Sequence, residues 1–301
     1  MKAVLIGAGR MGLTHAAQLN LVTDFGIRWT VMEPSFAVRS GLRYFLPKDM
    51  LDDTAATLDG INGNFDLAVV TSPTMHHAAA WQALQGRAAK FLIEKPLRVR
   101  NPGPEVLCGY VLLHHPLQRE LSALAAASPV AAVKLQLRAN TVLGPNTGWR
   151  GRKSGGGGVL NEFGSHLLSL LVDLAGPVET LVVASVETVH SVDVPDRAEL
   201  SGRAVGGASF TLSLDWTCPD IRKPAYDVAV EFVDGRTVSH DLYETRDGGH
   251  AVSIAERETA SGVYLRGFEF TEQARFLLEH DRFDRHLAIA VEVDRLLGEL
   301  A

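Results

Sequence analysis

The feature that most constrains the fold is a run of closely spaced glycines near the start of the chain, Gly7-Ala8-Gly9-Arg10-Met11-Gly12. It follows the apolar residues 3–6 and precedes residues 13–19, whose composition favours a helix. The spacing G-x-G-x-x-G between a strand and a helix is typical of the first β-α unit of a doubly wound sheet. Gly7 allows the tight turn, Gly9 lets the backbone approach a ligand closely, and Gly12 lets the helix pack closely on the strand.

Such a turn binds a dinucleotide, because the helix N-terminus presents free N–H groups and a positive dipole end to a pyrophosphate. A second apolar run, residues 27–32, ends at Glu33, where an acid accepts hydrogen bonds from the adenosine ribose. An acid there repels a 2′-phosphate, so NAD is favoured, while Ser35 and Arg39 nearby leave NADP open. The alternative is a glycine turn without a ligand, and the joint spacing of strand, helix and acid disfavours it. The cofactor contacts predicted here are Gly7, Gly9, Arg10, Met11, Gly12 and Glu33.

Two further strands end in polar or proline-containing segments. Residues 65–70 lead into Thr71-Ser72-Pro73-Thr74, and residues 90–93 lead into Glu94-Lys95-Pro96. A helical stretch that begins near His77 lies between them, and this alternation predicts a parallel, doubly wound α/β sheet. Ligands of such sheets bind outside the carboxyl ends of the strands, where both segments are expected.

The connection after Pro96 is too short for the usual crossover helix. Residues 97–105 include Pro102, Gly103 and Pro104 and are followed by an apolar run at 106–113 that predicts a strand. A parallel crossover generally needs about a dozen residues. We therefore expect a compressed connection that leaves part of one sheet face uncovered, unless another segment or subunit covers it.

The second half of the chain changes from alternating helices and strands to successive β-like runs. After a helical stretch at 117–127, such runs occupy residues 130–140, 178–190, 198–203, 208–216, 226–233 and 238–243. Asp234-Gly235 predicts a hairpin before the last run, and residues 270–300 have helical spacing. The predicted fold is therefore a Rossmann domain at residues 1–116 and an α+β domain at residues 117–301 with an open, mostly antiparallel sheet. Its free polar face favours a homo-oligomer, a dimer or tetramer formed through this sheet.

A glycine-rich segment in the second half ends in polar residues. It runs from Trp149-Arg150 through four glycines at 155–158 to Asn161-Glu162 and His166. Glu162 and His166 are four positions apart and share one face if they are helical. Histidine titrates near neutral pH, which suits proton transfer. The glycines are expected to let the backbone approach a ligand or the other domain.

Taken together, these motifs resemble the glucose–fructose oxidoreductase / inositol dehydrogenase / rhizopine-catabolism (Gfo/Idh/MocA) family. The matching features are the glycine turn, Ser72-Pro73-Thr74 with His77, Glu94-Lys95-Pro96, and the glycine-rich segment that ends in His166. The resemblance implies that Lys95 lies beside the nicotinamide and the substrate hydroxyl and that Pro96 is often cis. It also implies that His166 is the general acid/base, with Glu162 in place of the usual aspartate.

The predicted catalytic residues are Lys95, His166 and Glu162. Desolvation and the positive charge of an oxidised nicotinamide both disfavour a lysine ammonium, so Lys95 would exchange a proton at neutral pH; the alternative is a surface Glu94–Lys95 pair. Ser169 stands where the family has a further acid, and Leu113 where relatives often have arginine. Further cofactor contacts are Thr71, Ser72, Pro73, His77, Glu94 and Lys95, and candidate substrate contacts are Arg138, Asn140, Trp149, Arg150 and Asn161.

Composition argues against several other classes of protein. Lys and Arg number 29 against 35 Asp and Glu in 301 residues, which gives a net charge of -6 and no basic footprint for nucleic acid. Cys108 and Cys218 are far apart, so neither a disulfide framework nor a metal site is expected. No apolar run approaches the roughly 20 residues of a membrane helix. We expect a cytoplasmic protein with a small-molecule substrate and no nucleic-acid or membrane partner.

The function predicted from these residues is hydride transfer between NAD, or NADP, and a hydroxyl or carbonyl carbon of a small polar, sugar- or cyclitol-like molecule. One alternative is reduction of a C=N bond in a biosynthetic pathway. Another is a non-catalytic nucleotide-binding regulatory module, against which the presence of both Lys95 and His166 argues.

Overall fold

The structure is a computed structural model that describes residues 1–47, 49–221, 224–242 and 267–300. The chain folds as two compact units. One comprises Met1–Gly109 and Phe270–Ala290, and the other comprises Tyr110–Glu269 and Val291–Ala301. The C-terminal part of the chain therefore contributes to both units. Among the described residues, no helix has both the length and the apolar character needed to cross a membrane.

The first unit contains a six-stranded sheet in the order β3-β2-β1-β4-β5-β6, in which all neighbouring strands are parallel. The strands are β1 Lys2–Ile6, β2 Arg28–Met32, β3 Leu51–Ala55, β4 Phe65–Val70, β5 Ala88–Ile93 and β6 Val106–Cys108. Helices α1 Arg10–Val22, α2 Phe36–Phe45 and α3 His77–Leu84 connect them, with short 3₁₀ turns at Leu58–Gly60 and Thr74–His76. The predicted doubly wound sheet is confirmed, and its strand order reverses between β1 and β4, where ligands bind in such folds.

The connection from β5 to β6 contains no helix, as its proline and glycine content predicts. The strand predicted at residues 106–113 is shorter in the structure, where β6 ends at Cys108 and a 3₁₀ turn, Val111–His114, follows. In that turn Leu113 N–H donates to Tyr110 O at 3.1 Å. A buried apolar run fits a strand or a buried turn equally well, so periodicity alone did not separate them.

The sheet face that lacks a crossover helix is covered by the C-terminal part of the same chain. Helix α6 spans Phe268–Glu279, and its Ala274 and Leu277 join Leu92 and Leu107 in one buried core cluster. Phe283, just beyond α6, belongs to the same cluster, and its N–H donates to Pro104 O at 2.7 Å. Another segment of this chain therefore covers the sheet face that the short connection between β5 and β6 leaves without a helix.

The helix predicted at residues 270–300 is divided in two. Helix α6 ends at Glu279, and a final helix spans Asp284–Glu299. At the break the Lys90 ammonium donates to His280 O at 2.7 Å and contacts Asp281 at 2.8 Å. A lysine from β5 therefore satisfies carbonyls at the C-terminal end of α6, which the apolar spacing of the segment does not reveal.

The second unit contains a six-stranded open sheet in the order β12-β11-β7-β10-β9-β8. The strands are β7 Val130–Arg138, β8 Val178–Glu187, β9 Arg197–Ala204, β10 Ser209–Asp215, β11 Ala225–Phe232 and β12 Thr237–Asp241. Only β7 and β10 pair in parallel among these strands, so the predicted mostly antiparallel sheet is confirmed. Tyr243, predicted to end the last strand, lies outside the described residues.

One face of this second sheet is apolar and the other polar, as alternation predicts. In β10, Phe210, Leu212 and Leu214 are buried, whereas Ser209 and Thr211 are exposed. Helices α4 Pro116–Ala127 and α5 Ser165–Ala175 also belong to this unit, with 3₁₀ turns at Trp149–Gly151 and Lys153–Gly155. Helix α5 contacts β7. The apolar face of the sheet therefore packs on α5, the helix that contains His166.

Candidate active site

The glycine turn between β1 and α1 shows why each of its glycines is present. Gly7 has a φ of +91°, and a Cβ on it would lie 3.0 Å from Ser72 N. A Cβ on Gly12 would collide with Gly7 O. A Cβ on Gly9, in contrast, would meet no protein atom within 4 Å. Gly7 and Gly12 are therefore needed by the fold itself, while the open space at Gly9, here called the cradle, leaves room for a ligand group beside the turn.

Helix α1 presents its N-terminal end at this cradle. Gly9 is the N-cap residue, and within the described residues no side chain caps the helix and its first turn holds no acid. Because helix N-termini carry unsatisfied N–H groups and a partial positive charge, this end suits an anionic ligand. Arg10 is exposed and Met11 is half-buried at the same end.

Glu33 lies directly beside the glycine turn. Its Oε2 accepts from Ala8 N–H and its Oε1 from Ser35 N–H, both at 2.9 Å. The Arg39 guanidinium donates to the backbone carbonyls of Glu33 and Pro34. A carboxylate has about four acceptor sites, so Glu33 retains capacity for ribose hydroxyls. The structure thus places the acid where its spacing from the glycines predicts it.

The segment after β4 is tied to the glycine turn. Thr71 Oγ1 donates to Gly7 O at 2.7 Å. Ser72 Oγ is buried and has no hydrogen-bond partner among the described residues, whereas Pro73 is exposed. Buried hydroxyls are normally paired, so the orphaned Ser72 hydroxyl fits a ligand group at this strand end.

His77 joins the ends of β4 and β5. It is 1% exposed, with Nε2 2.9 Å from Ser72 O and Nδ1 3.0 Å from Pro96 O. Burial lowers the pKa of His77, and the surrounding carbonyls oppose that effect only in part. His77, which the sequence predicts as a cofactor contact, therefore contacts backbone carbonyls of both loops through its two ring nitrogens and holds these loops together.

The segment after β5 contains a buried carboxylate. Glu94 is 8% exposed; its Oε1 lies 2.7 Å from His15 Nε2, and its Oε2 accepts from Lys95 N–H at 3.2 Å. Lys95 is half-buried, and the Lys95–Pro96 peptide bond is cis, as the family resemblance implies. His15 was not among the predicted residues. Its position three residues after Gly12 places it on the face of α1 that packs on the sheet, a signal that was available in the sequence.

His166, in the second unit, lies in the first turn of α5 and is 8% exposed. Its ring is near-perpendicular to those of Tyr110 and Tyr226, with centroid distances of 6.2 and 6.3 Å. The Ser169 hydroxyl, which stands in place of the family's further acid, donates to His166 O at 2.7 Å. Two tyrosines that sequence reasoning did not select therefore constrain the orientation of the histidine ring.

Glu162 lies on a π-helical turn, Leu160–Gly164, that runs directly into α5. The prediction that Glu162 and His166 share a face assumed α-helical spacing, which a π turn does not keep. Glu162 Oε2 contacts Arg150 Nε at 3.3 Å, and Asn161 Nδ2 donates to Gly157 O at 3.1 Å. Two predicted site residues, Glu162 and Arg150, are therefore brought together as an ion pair.

The glycine-rich segment packs closely against the residues that precede it. A Cβ on Gly155 would strike Trp149 O, and a Cβ on Gly157 would strike Arg150 O. Gly158 N–H donates to Arg150 O at 2.8 Å. The described glycines thus let two stretches of one loop pack together, and this packing holds Arg150 near Glu162. Trp149 remains 48% exposed, with the Arg150 guanidinium 4.5 Å from the centre of its ring.

The remaining candidates lie at the end of β7. Arg138 Nη2 pairs with Asp227 Oδ2 at 3.2 Å, and Asn140 forms an isolated β-bridge with Thr217. Across the described part of the chain, no group of three or more His, Cys, Asp or Glu side chains is arranged to hold a metal ion.

Comparison with known proteins gives a family match for part of the second unit. Residues 129–232 match the family model described as the GFO/IDH/MocA C-terminal domain. A search of curated protein sequences gave no match.

Solved structures share the fold over nearly the whole chain at low identity. GenD2 from gentamicin A biosynthesis, solved with NAD, has a TM-score of 0.69 and 20% identity, covering 98% of this chain and 92% of that chain. Myo-inositol dehydrogenase from Corynebacterium glutamicum has a TM-score of 0.72 and 14% identity, covering 98% and 93%. Levoglucosan dehydrogenase with NADH and levoglucosan has a TM-score of 0.72 and 15% identity, covering 99% and 96%. At these identities the likeness is one of fold.

Proposed function

We propose that the chain is an NAD-dependent oxidoreductase of the GFO/IDH/MocA family, whose C-terminal domain model matches residues 129–232. It moves a hydride between nicotinamide and a hydroxyl or carbonyl carbon of a small polar, sugar- or cyclitol-like substrate. The observation that carries the proposal is the cradle at Gly9, which no protein atom fills, beside the uncapped end of α1 and the carboxylate of Glu33.

The cofactor is held by residues at the strand ends of the first unit. The N–H groups at the start of α1 bind the pyrophosphate beside Gly9, and Glu33 accepts from the adenosine ribose. The buried Ser72 hydroxyl supplies a further hydrogen bond. These residues would hold NAD, whose nicotinamide would supply the hydride acceptor or donor. Glu33 favours NAD, with NADP as the weaker ligand.

The proton is managed by the side chains of Lys95 and His166. His166 serves as the general acid/base toward a substrate oxygen, and Lys95 serves as a hydrogen-bond donor at the end of β5. Tyr110 and Tyr226 fix the orientation of the His166 ring and limit its contact with water. Glu162, paired with Arg150, orients substrate hydroxyls.

The proposed substrate class rests on the similar structures and on Ser169, which replaces the acid that the family has at this position. The similar structures include a myo-inositol dehydrogenase and a levoglucosan dehydrogenase with levoglucosan bound. Ser169 offers no carboxylate after His166, and its hydroxyl is already bonded to the helix backbone. The substrate is therefore a hydroxylated ring whose binding does not depend on an acid at that position. Arg138, Asn140, Trp149, Arg150 and Asn161 are the candidate contacts for its hydroxyls.

The two parts of the chain divide the work, with residues 1–116 binding the cofactor and residues 117–301 binding the substrate. The second part also forms a homo-oligomer through its open sheet. Its edge strand β8 supports this, because Val182, Val183 and Val186 are each about half exposed on it. The two cysteines, Cys108 and Cys218, are free, which suits a reducing cytoplasm.

The proposal is tested with the purified full chain. NADH fluorescence titration should give saturable binding, and a screen of polyols, sugars and cyclitols followed by NADH absorbance should identify a substrate. Lys95→Ala and His166→Ala should then lower kcat/KM by about 10²- to 10⁴-fold. Lys134→Ala and His76→Ala, two exposed residues, serve as matched controls and should stay near wild type. No NADH binding at millimolar concentration, or full turnover in both site variants, contradicts the proposal.

A further inference from the structure

We infer that His15 is a positioning residue for Lys95, acting through the carboxylate of Glu94. The inference rests on the proposed function, since it concerns how the catalytic lysine is held. His15 lies in α1 and is 2% exposed, and Glu94, 8% exposed, immediately precedes Lys95. Their side chains meet at 2.7 Å, from Nε2 to Oε1. A carboxylate only accepts hydrogen bonds, so Nε2 of His15 carries the proton and donates it.

The carboxylate of Glu94 links this histidine to the backbone of Lys95. Its second oxygen, Oε2, accepts from Lys95 N–H at 3.2 Å, so the carboxylate folds back over its own chain. Glu94 N–H donates to Val70 O at 2.8 Å, which keeps the backbone in register with β4. The carboxylate group thus fixes the peptide from which the lysine side chain departs.

The pair is enclosed on the remaining sides. A Cβ on Gly109 would lie 3.1 Å from the carboxylate carbon of Glu94, so this glycine leaves just enough room for the group. The ring of Phe270 lies 5.5 Å from the His15 ring at an angle of 59°. A buried carboxylate is costly unless donors satisfy it, and the His15 ring supplies the short 2.7 Å contact to Oε1 of Glu94.

The loop on the other side of Lys95 is held by a second histidine. Pro96 O lies 3.0 Å from His77 Nδ1. Lys95 is therefore flanked by two anchored peptides, one held through Glu94 by His15 and one held directly by His77. Catalytic side chains must be held within about 0.5 Å of their productive geometry, and a displacement of about 1 Å can cost about 100-fold in rate. Release of the first anchor therefore acts on the rate through Lys95.

Three substitutions of His15 separate positioning from simple stability. His15→Leu removes the donor and keeps the bulk, and His15→Asn keeps polarity but is too short to reach Glu94. His15→Gln returns an N–H at nearly the position of Nε2. Gln18→Leu is the matched control, because it breaks another α1 contact, the 2.6 Å bond from Thr271 Oγ1, without touching Glu94.

We expect His15→Leu and His15→Asn to lower kcat by about 10- to 100-fold with KM changed less than about 3-fold, and His15→Gln to recover to within about 3-fold of wild type. In the chain without cofactor, acylation of Lys95 measured by mass spectrometry should slow several-fold in the same two variants. The freed carboxylate of Glu94 is then available to pair with the Lys95 side chain, and a paired amine is less accessible to the reagent. Acylation of Lys2, an exposed lysine in the same unit, should not change.

The inference is overturned if His15→Leu and His15→Asn match Gln18→Leu in kcat and in Lys95 acylation, whatever their melting temperatures. It is also overturned if His15→Gln fails to restore both readouts. If the wild-type chain binds no NADH, the proposed function fails, yet the acylation of Lys95 still tests the role of His15. The asparagine variant serves where the leucine variant does not fold.

Discussion

Asp196, between β8 and β9, is a fully buried carboxylate whose replacement by asparagine tests how the second unit is held together. Its Oδ2 accepts from three consecutive backbone N–H groups, those of Val189, His190 and Ser191, at 2.6–2.9 Å. Its Oδ1 accepts from Ser191 Oγ at 2.5 Å and from the indole N–H of Trp216 at 2.7 Å. One side chain therefore closes the loop after β8 and connects it to the core.

These contacts determine how much the ionised Asp196 side chain contributes to the free energy of unfolding. Burial by itself raises the pKa of Asp196, but hydrogen bonds from Ser191, from the backbone and from Trp216 outweigh it and lower the pKa from 3.8 to about 2. One pKa unit is equivalent to about 1.36 kcal/mol, so the ionised group contributes about 2 kcal/mol of stability at neutral pH. Because the folded-state pKa is the lower one, this contribution is present above 3.8 and is lost as the pH falls towards 2.

Asp196→Asn should therefore lower the free energy of unfolding of this unit by about 2 to 4 kcal/mol at neutral pH. The loss exceeds the charge contribution because one amide N–H of asparagine must face a donor, which costs about 1–3 kcal/mol when buried. The difference from wild type should shrink by about 1 kcal/mol near pH 3, where the wild-type carboxylate begins to lose its advantage.

Urea unfolding followed by tryptophan fluorescence measures the loss, and hydrogen exchange of residues 189–191 locates it. Asp220→Asn, the same change at an exposed position, is the control. The reasoning is refuted if Asp196→Asn unfolds within about 0.5 kcal/mol of wild type, or if the gap is equally large at both pH values.

Two other predictions concern the first unit. Glu33→Gln keeps the size of the side chain but removes the charge that repels a 2′-phosphate. NADH should therefore bind about tenfold more weakly, and the preference for NADH over NADPH should narrow. Fluorescence titration with both cofactors measures the two dissociation constants, and an unchanged ratio between them contradicts the prediction. Lys90→Met keeps the apolar stem but removes the ammonium that satisfies carbonyls at the end of α6, including His280 O. It should lower stability by about 1–2 kcal/mol in thermal unfolding, with Lys134→Met as an exposed control, and equal melting temperatures argue against the cap.

The sheet of the first unit could be predicted from the sequence because its signals are local. Parallel strands buried on both faces are short apolar runs, and the glycine spacing falls between one such run and a helix. The position of Glu33 follows from the same short unit, since strand, turn, helix and strand fix the direction of the chain over some 30 residues. Its contact with Ala8 N–H therefore lies where the spacing predicts.

The second half was less predictable because the same local pattern fits several structures. Glycines at 155–158 suit a ligand that approaches the backbone, and they suit equally a loop that packs on itself. Only the position of Trp149 O and Arg150 O decides between the two. The π-helical turn around Glu162 changes which residues share a face, and no periodicity based on the α-helix anticipates it.

Contacts between residues far apart in the sequence were the hardest feature to predict, and helix α6 makes two such contacts. Helix α6 covers the face that the missing crossover helix would otherwise cover, where Leu92 and Leu107 lie in its core cluster. The same helix supplies Phe270, whose ring lies against His15. In an ordinary doubly wound sheet, cover of this kind comes from the helix next in sequence. Here the packing around Glu94 and Lys95 includes residues far along the chain, so a pattern read locally around Glu94-Lys95-Pro96 does not show it.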